Sequence, residues 1–346
     1  MDSITQMALG AAVGEAVLGR RLGNRAPLLG AVVGTLPDLD VLVPLGDPVA
    51  DFTYHRSASH SLIVLTLAAP LVAWLLTRIP RRVEGATAPF ALWWLMVFLA
   101  LVTHPLLDAF TVYGTQLLWP LDPTPVAWST VFIIDPAYTL PLLVGVLGTL
   151  VLARPGRRGL ELPRPWRLNA AGLVLSTLYL AWSLGAKLEI ESQARASLAA
   201  QGVTYERLLS TPAPFNTLLW RFVVMDDEHW YEAFDSLLDG DPHLHLVAHE
   251  TDEALLDSLA GHWPVTRLQW FTQGFYRAWR DGKDVLITDL RMGVDPNYVF
   301  SFRVGILDGA GTVVAADTQQ RAMPIDTSRF PWLWARIWAA DIDLTP

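Results

Sequence analysis

With 346 residues, 52% of them hydrophobic and only 17% charged, the chain falls well below the charged fraction of about a quarter that a soluble protein carries. A net charge of −9 with no basic stripe excludes a nucleic-acid partner, and the absence of cysteine excludes disulfides, thiolate catalysis and Cys-based zinc sites. The apolar sequence is concentrated before residue 187. Two parts are therefore expected: a helical membrane domain over 1–186 and a β-rich, α+β domain outside the membrane over 187–346.

The beginning does not read as a cleaved signal peptide, because Asp2 stands where a basic region belongs and no basic residue precedes Arg20. Residues 4–18 form a short apolar segment with Gly10 and Gly14 in GxxxG spacing, which admits another helix at close range, and with one acid, Glu15. Arg20, Arg21 and Arg25 follow. The second segment, 28–43, repeats GxxxG at Gly30 and Gly34 and ends in Pro37-Asp38-Leu39-Asp40. A polar connection with Asp47, Asp51, His55 and His60 leads to segment 61–77, then to Arg78, Arg81 and Arg82. Segment 88–107 ends at His104-Pro105-Leu106-Leu107-Asp108, and an aromatic, proline-rich connection with Asp135 precedes segment 138–153. Five arginines (Arg154, Arg157, Arg158, Arg164, Arg167) come before the last segment, 168–186. The fold expected is a polytopic α-helical membrane protein with about six crossings.

Basic loops mark the cytoplasmic side, and here they fall on alternate connections. Placed there together, they send Gln6, Asp38, Asp40, His55, His60, His104, Asp108 and Asp135 to the opposite, extracytoplasmic face. Charge placement is independent of ligand chemistry, yet it gathers every ligand-type residue on one side.

Beyond residue 186 a charged helix over 187–209 continues from the last segment. Short aromatic and β-branched runs then recur at 218–224, 230–234, 244–248, 265–271, 285–290, 299–306 and 312–316. Several are separated by turn signals such as Gly240-Asp241-Pro242, Asp281-Gly282 and Asp308-Gly309. They read as an antiparallel domain with one helix near 252–260. The Trp-rich stretch 329–340 reads as a packing helix, with a place at the membrane interface as the other reading.

Acids and histidines are costly near a bilayer and usually functional there. His104 and Asp108, four apart, share one helical face and can bind one ion. Asp38 and Asp40 share an ion only where the helix has ended, which Pro37 favours. His55 and His60 are too far apart for one face, so His55 belongs to the loop and His60 to the start of the next helix. With Gln6 and Asp135 as additional members, the set Asp38, Asp40, His55, His60, His104 and Asp108 exceeds the three protein ligands of a catalytic zinc. One or two ions are expected, zinc first, manganese or iron if oxygen ligands dominate. Such a site activates water, with Asp38 or Asp40 as base where it is not a ligand and Arg56 as a clamp for an anionic group such as phosphate. Ser57, Ser59 and Ser61 lack a nucleophile-elbow context. His243 and His245 alternate on a strand and read as exposed rather than ligating, and Asp289-Leu290-Arg291 reads as an ion pair closing a strand.

Met1-Asp2-Ser3-Ile4-Thr5, Leu36-Pro37-Asp38-Leu39-Asp40, His55-Arg56 through Ser59-His60-Ser61 and Thr103-His104-Pro105-Leu106-Leu107-Asp108 together resemble one family. So do Tyr113-Gly114-Thr115-Gln116-Leu117-Leu118, Asp135-Pro136, Asn216-Thr217-Leu218-Leu219-Trp220 and Asp289-Leu290-Arg291. The family is that of bacterial inner-membrane-bound metal-dependent hydrolases associated with the LexA-regulated DNA-damage response. The resemblance implies a polytopic inner-membrane protein with a metal-dependent hydrolase site. Gln6 departs from it, standing where many relatives are expected to carry histidine. The Pro-Asp-x-Asp and His-x-x-x-Asp groups are also similar to the zinc-dependent phospholipase C group, which implies a phosphate-ester or phospholipid substrate by analogy. The expected function is therefore hydrolysis at the outer membrane face, with membrane lipid and a small-molecule or lipid substrate as partners. The alternatives are a structural metal or polar network without catalysis, and a metal transporter. Transport is disfavoured because 62–76 and 92–103 carry hardly any polar residues.

Overall fold

Helix forms wherever the first half of the chain is continuously apolar. The computed structural model describes residues 1–78, 88–153, 165–226, 229–240, 243–321, 330–340 and 342. The helices are α1 (Ser3–Leu22), α2 (Arg25–Thr35), α3 (Pro48–Tyr54), α4 (Leu62–Thr77), α5 (Phe90–Ala109), α6 (Pro136–Leu152) and α7 (Trp166–Ala200). Arg81, Arg82, Arg154, Arg157, Arg158 and Arg164 of the basic loops, Asp241 and Pro242 of a turn signal, and Arg329 lie outside the described residues.

The apolar segments are helical, but six crossings are not supported. Among the described residues α5 and α7 are long and apolar enough to span a membrane, with a third span if the bent pair Pro48–His60 and Leu62–Thr77 counts as one. The physical reason is length and polarity. At about 1.5 Å per residue α2 rises only some 16 Å, and α4 and α6 stop short of the roughly 30 Å hydrocarbon core. The 20-residue α1 carries Gln6, Glu15, Arg20 and Arg21.

The chain divides into two compact units: Met1–Val43, Arg56–Trp128 and Ile133–Trp182 form a helical unit, while Pro44–His55, Ser129–Phe132 and Ser183–Pro346 form the other. In the helical unit α1 and α2 pack as a hairpin through their two GxxxG pairs. A Cβ added at Gly30 would lie 2.1 Å from the carbonyl oxygen of Gly10, so only glycine permits this approach. Asp2 caps α1 by accepting from the amides of Ile4 and Thr5, and Pro105 lies inside α5 without ending it. The last turn of α5 is buried at His104, Leu107 and Asp108, one stripe at helical spacing.

The second unit is β-rich. Its strands are β1 (Arg207–Pro212), β2 (Leu219–Met225), β3 (His229–Ser236), β4 (Val247–Glu250), β5 (Tyr276–Asp281), β6 (Asp284–Asp289), β7 (Gly293–Val294), β8 (Asn297–Tyr298), β9 (Ser301–Leu307) and β10 (Val313–Arg321). They form two antiparallel four-stranded sheets, ordered β1-β2-β3-β4 and β10-β9-β6-β5, and a β7-β8 pair. Trp220, Phe222 and Val224 of β2 pack on Ile190, Ala194 and Leu198 of α7, which is why that helix stays regular beyond its apolar half. It ends at Ala200 rather than at 209, and the chain enters β1 at Arg207.

Two readings of this unit change. Residues 265–271, expected as a strand, lie in helix α8 (Trp263–Phe271). Pro264 suits a helix start, and Val265, Leu268 and Phe271 are buried at helical spacing, a pattern too short for periodicity to separate from a buried strand. The helix expected near 252–260 is a 3₁₀ helix, Glu253–Leu259. The Trp-rich stretch contains helix α9 (Phe330–Arg336), with Leu333 and the following Ile337 buried against Ala213 and Leu219.

Candidate metal centre

Four side chains from three places in the helical unit meet at one point. Asp38 comes from the 3₁₀ turn Pro37–Leu42, His60 from the 3₁₀ turn Ala58–His60, and His104 and Asp108 from the last turns of α5. Pro37 opens its turn just after α2, where its missing N–H and fixed φ suit a first helical position. Ser61 caps the start of α4 by accepting from the Val64 amide, which leaves His60 one residue before the cap. One ligand atom from each of the four side chains lies within 4.8 Å of the others.

The two imidazoles define the centre, with Nε2 of His60 and Nε2 of His104 3.1 Å apart. Asp38 Oδ1 is 3.4 Å from the first and 3.2 Å from the second. Asp108 Oδ2 lies 3.3 Å and 3.4 Å from the same two atoms. A tetrahedron with zinc-type bonds of about 2.0–2.1 Å has edges of roughly 3.3–3.4 Å, so these separations suit one ion. His104 Nδ1 lies 2.6 Å from the Gly34 carbonyl, which only accepts, so Nδ1 carries the proton and Nε2 of the neutral ring turns its lone pair to the centre. Asp108 Oδ2 is buried and has no hydrogen-bond partner. A buried acceptor left in that state costs about 1–3 kcal/mol, more when charged. An orphaned carboxylate oxygen beside two converging imidazole nitrogens fits a divalent cation.

Asp108 Oδ1 is held from outside the centre by Arg56 Nη2 at 3.3 Å, Gln6 Nε2 at 3.1 Å and the α-amino group of Met1. Burial and the neighbouring Arg56 guanidinium both push the pKa of that amino group down, against the pull of Asp108. His60, His104 and Asp108 are buried, whereas 22% of the Asp38 side chain reaches solvent. Burial opposes ionisation of Asp38, but hydrogen bonds from His104 and His60, donated when their Nε2 atoms carry protons in the absence of an ion, outweigh it and hold the carboxyl below the usual carboxylate range.

The other residues singled out from the sequence lie elsewhere. Asp40 is not in the four-residue group; it accepts from the Arg56 amide at 3.2 Å and from Ser59 Oγ at 2.6 Å. His55 is also outside it. It follows α3, whose Phe52 packs against Phe271, Phe300 and Phe302 in the β-rich unit. Arg56 adopts φ 62°, the left-handed region, so the backbone turns sharply between the two. The Arg56 side chain is buried, donates to Thr111 Oγ1 at 3.1 Å and lies over the Tyr113 ring at 4.8 Å. It supports Asp108 rather than facing solvent as a clamp. Gln6 contacts Asp108 and also donates to the His104 carbonyl at 3.2 Å, one ring out from the centre. Asp135 caps α6, accepting from the Ala137 amide at 3.0 Å and from the Tyr179 hydroxyl at 2.8 Å. In the β-rich unit Asp289 and Arg291 form the expected buried ion pair, at 2.7 Å. Ser59, Thr111 and Gly34 were not legible as site residues. The adjacency of Ser59 to His60 was the available signal, and a backbone carbonyl such as that of Gly34 leaves none.

Apolar spanning helices carrying a buried His/Asp cluster at their ends define a membrane protein with a metal-type polar centre. The chain belongs to the YdjM inner membrane protein family, whose model matches residues 1–190, the region that holds all four members of the centre. It is also similar to the uncharacterized protein YfhP of Bacillus subtilis (strain 168), at 31% identity over 144 residues, or 39% of this chain and 42% of that one. The chain thus matches less than half the length of that relative. No solved structure matches it.

Proposed function

We propose that this inner-membrane protein is a metal-dependent hydrolase whose centre is Asp38, His60, His104 and Asp108. The observation that carries the reading is the pair of Nε2 atoms 3.1 Å apart with a carboxylate oxygen on either side. Two imidazoles and two carboxylates form a donor set for zinc, or for manganese or iron. A divalent ion held there supplies Lewis acidity and lowers the pKa of water. Asp38, the one partly exposed member, is the side from which water and substrate approach, and its carboxylate is the base nearest to an incoming proton. Arg56 and Gln6 hold Asp108 in place. The phosphate-ester class loses the residue that motivated it, since the Arg56 guanidinium is engaged with Asp108, Thr111 and Tyr113.

The positive-inside rule supports an extracytoplasmic site. Arg20 and Arg21 end α1, Arg78 ends α4 and Arg167 begins α7, while Asp38, His60, His104 and Asp108 lie at the opposite helix ends. On this reading the β-rich unit is extracytoplasmic too, and lipid or a membrane-associated small molecule is the substrate.

A second reading, a structural ion without turnover, is favoured by one observation: four protein ligands close a tetrahedral site, whereas catalytic zinc usually keeps a position open. Metal analysis of the detergent-purified protein tests the common core. About one ion per chain, absent from Asp108→Ala, supports the centre. Turnover of an ester panel by the loaded wild type, lost in Asp38→Asn with metal retained, separates catalysis from structure.

A further inference from the structure

We infer that Ser59 and Asp40 form a positioning relay that fixes the tautomer of His60 and so aims its Nε2 at the centre. The inference rests on the metal reading but concerns residues outside the four ligands. A serine hydroxyl has one proton to give. Ser59 Oγ lies 2.6 Å from Asp40 Oδ2 and 2.9 Å from His60 Nδ1. The carboxylate accepts only, so the short bond to Asp40 takes the hydroxyl proton, and the oxygen lone pair faces Nδ1. The hydrogen bond to the ring is then made by Nδ1–H. A neutral His60 therefore carries its proton on Nδ1 and presents an unprotonated Nε2 to His104, Asp38 and Asp108. The Gly34 carbonyl imposes the same choice on His104 by an unrelated route. Both rings are thus set as ligands from behind, by a hydroxyl–carboxylate pair on one side and by backbone on the other.

The backbone around the relay supports it. Asp40 Oδ2 also accepts from the Arg56 amide at 3.2 Å, and the Arg56 carbonyl accepts from the Gln116 amide at 2.9 Å. These bonds hold Arg56 in its left-handed conformation, rare for a non-glycine residue, and tie the 3₁₀ turn at Pro37–Leu42 to the one carrying Ser59 and His60. Asp40 thereby serves a ligand instead of being one. Outer groups of this kind usually contribute 10- to 100-fold to metal affinity.

Two measurements on the full chain in detergent test the relay, with Ser59→Ala and Ser59→Thr as variants. Zinc affinity by competition with a chromogenic chelator is expected to fall about 10- to 100-fold in Ser59→Ala, with the ion count at saturation unchanged, and to recover in Ser59→Thr. Nitrogen-15 imidazole spectra of the metal-free protein, with His60 assigned by a His60→Gln variant, are expected to show a protonated Nδ1. Ser59→Ala should shift His60 toward the other tautomer and Ser59→Thr should restore it. Unchanged affinity and unchanged spectra in Ser59→Ala overturn the relay, as does a wild-type His60 protonated on Nε2 alone. If wild type and His104→Ala take up the same zinc, the metal reading fails instead, and the spectra still decide the relay.

Discussion

His60 and His104 approach each other through Nε2 atoms at 3.1 Å, though 44 residues separate them. Two neutral imidazoles whose Nδ1 atoms are committed elsewhere would set lone pair against lone pair at that distance. A shared cation, whether proton or metal ion, is what makes the arrangement favourable, and nearby Asp38 and Asp108 supply the compensating negative charge.

Removal of either buried ligand of α5 should therefore abolish metal binding. His104→Ala and Asp108→Ala are each expected to retain under a tenth of the wild-type ion content by elemental analysis. Added zinc should raise the wild-type melting temperature, since a ligand at 100 times its Kd stabilises by about 2.7 kcal/mol, and should leave either variant unmoved. An equal shift in all three proteins would place the ion elsewhere.

Arg56→Ala leaves the buried Asp108 without its guanidinium partner. Breaking a buried pair from one side costs about 3–5 kcal/mol, so the variant should melt well below wild type in detergent. Arg56→Lys keeps the charge but not the planar fork that reaches both Asp108 and Thr111, and should fall in between. An anion clamp that faced solvent would predict unchanged melting and a raised KM instead.

The spacing of His104 and Asp108 was legible because α-helical periodicity alone brings positions four apart together, and Pro37 announced the turn that carries Asp38. The division between ligands and supports was not legible. Asp40 and His55 have ligand chemistry, but Arg56 adopts a left-handed φ that redirects the chain just after His55, and Ser59 draws Asp40 behind His60. Local pattern does not encode a positive φ at arginine. The sequence overstates the number of crossings for a related reason: apolar runs at 28–43 and 138–153 signal burial equally well inside a helix cluster, and the early end of α2 depends on Pro37. In the second unit, 265–271 reads as a strand from its apolar residues, whereas Pro264 lies in the first turn of a helix there.

The α1–α2 hairpin places the Gly34 carbonyl against His104, so packing there should reach the centre. A Cβ at Gly30 would meet Gly10 backbone at 2.1 Å and Gly14 backbone at 2.9 Å. Overpacking of this kind costs about 1–3 kcal/mol or more, and Gly30→Ala is expected both to lower the melting temperature and to weaken zinc binding. In α7 a Cβ at Gly185 meets nothing within 4 Å, so Gly185→Ala should be neutral or stabilise by about 0.5–1 kcal/mol. Equal loss in both variants would argue for general helix sensitivity rather than close approach.

In the β-rich unit, Asp235 should make stability depend on pH in an unusual direction. Burial and the neighbouring Asp239 carboxylate raise its pKa to about 7, against the opposing pull of Arg336, whose Nη2 lies 2.7 Å from Asp239 Oδ2 and 4.0 Å from Asp235 Oδ1. In the unfolded chain the same group titrates near 3.9. Between those values the folded state holds a proton that the unfolded state has lost, so stability is full below about pH 4 and declines as pH rises through about 7. Asp235→Asn keeps the shape and removes the ionisation. It should exceed wild type a little at pH 5, where the unfolded chain has already ionised, and by more at pH 8, the difference growing by on the order of 1–3 kcal/mol between the two. Melting of both proteins at the two pH values checks this. A difference that shrinks on going from pH 5 to pH 8 would mean that Asp235 is ionised in the folded protein throughout, with Arg336 as its dominant partner.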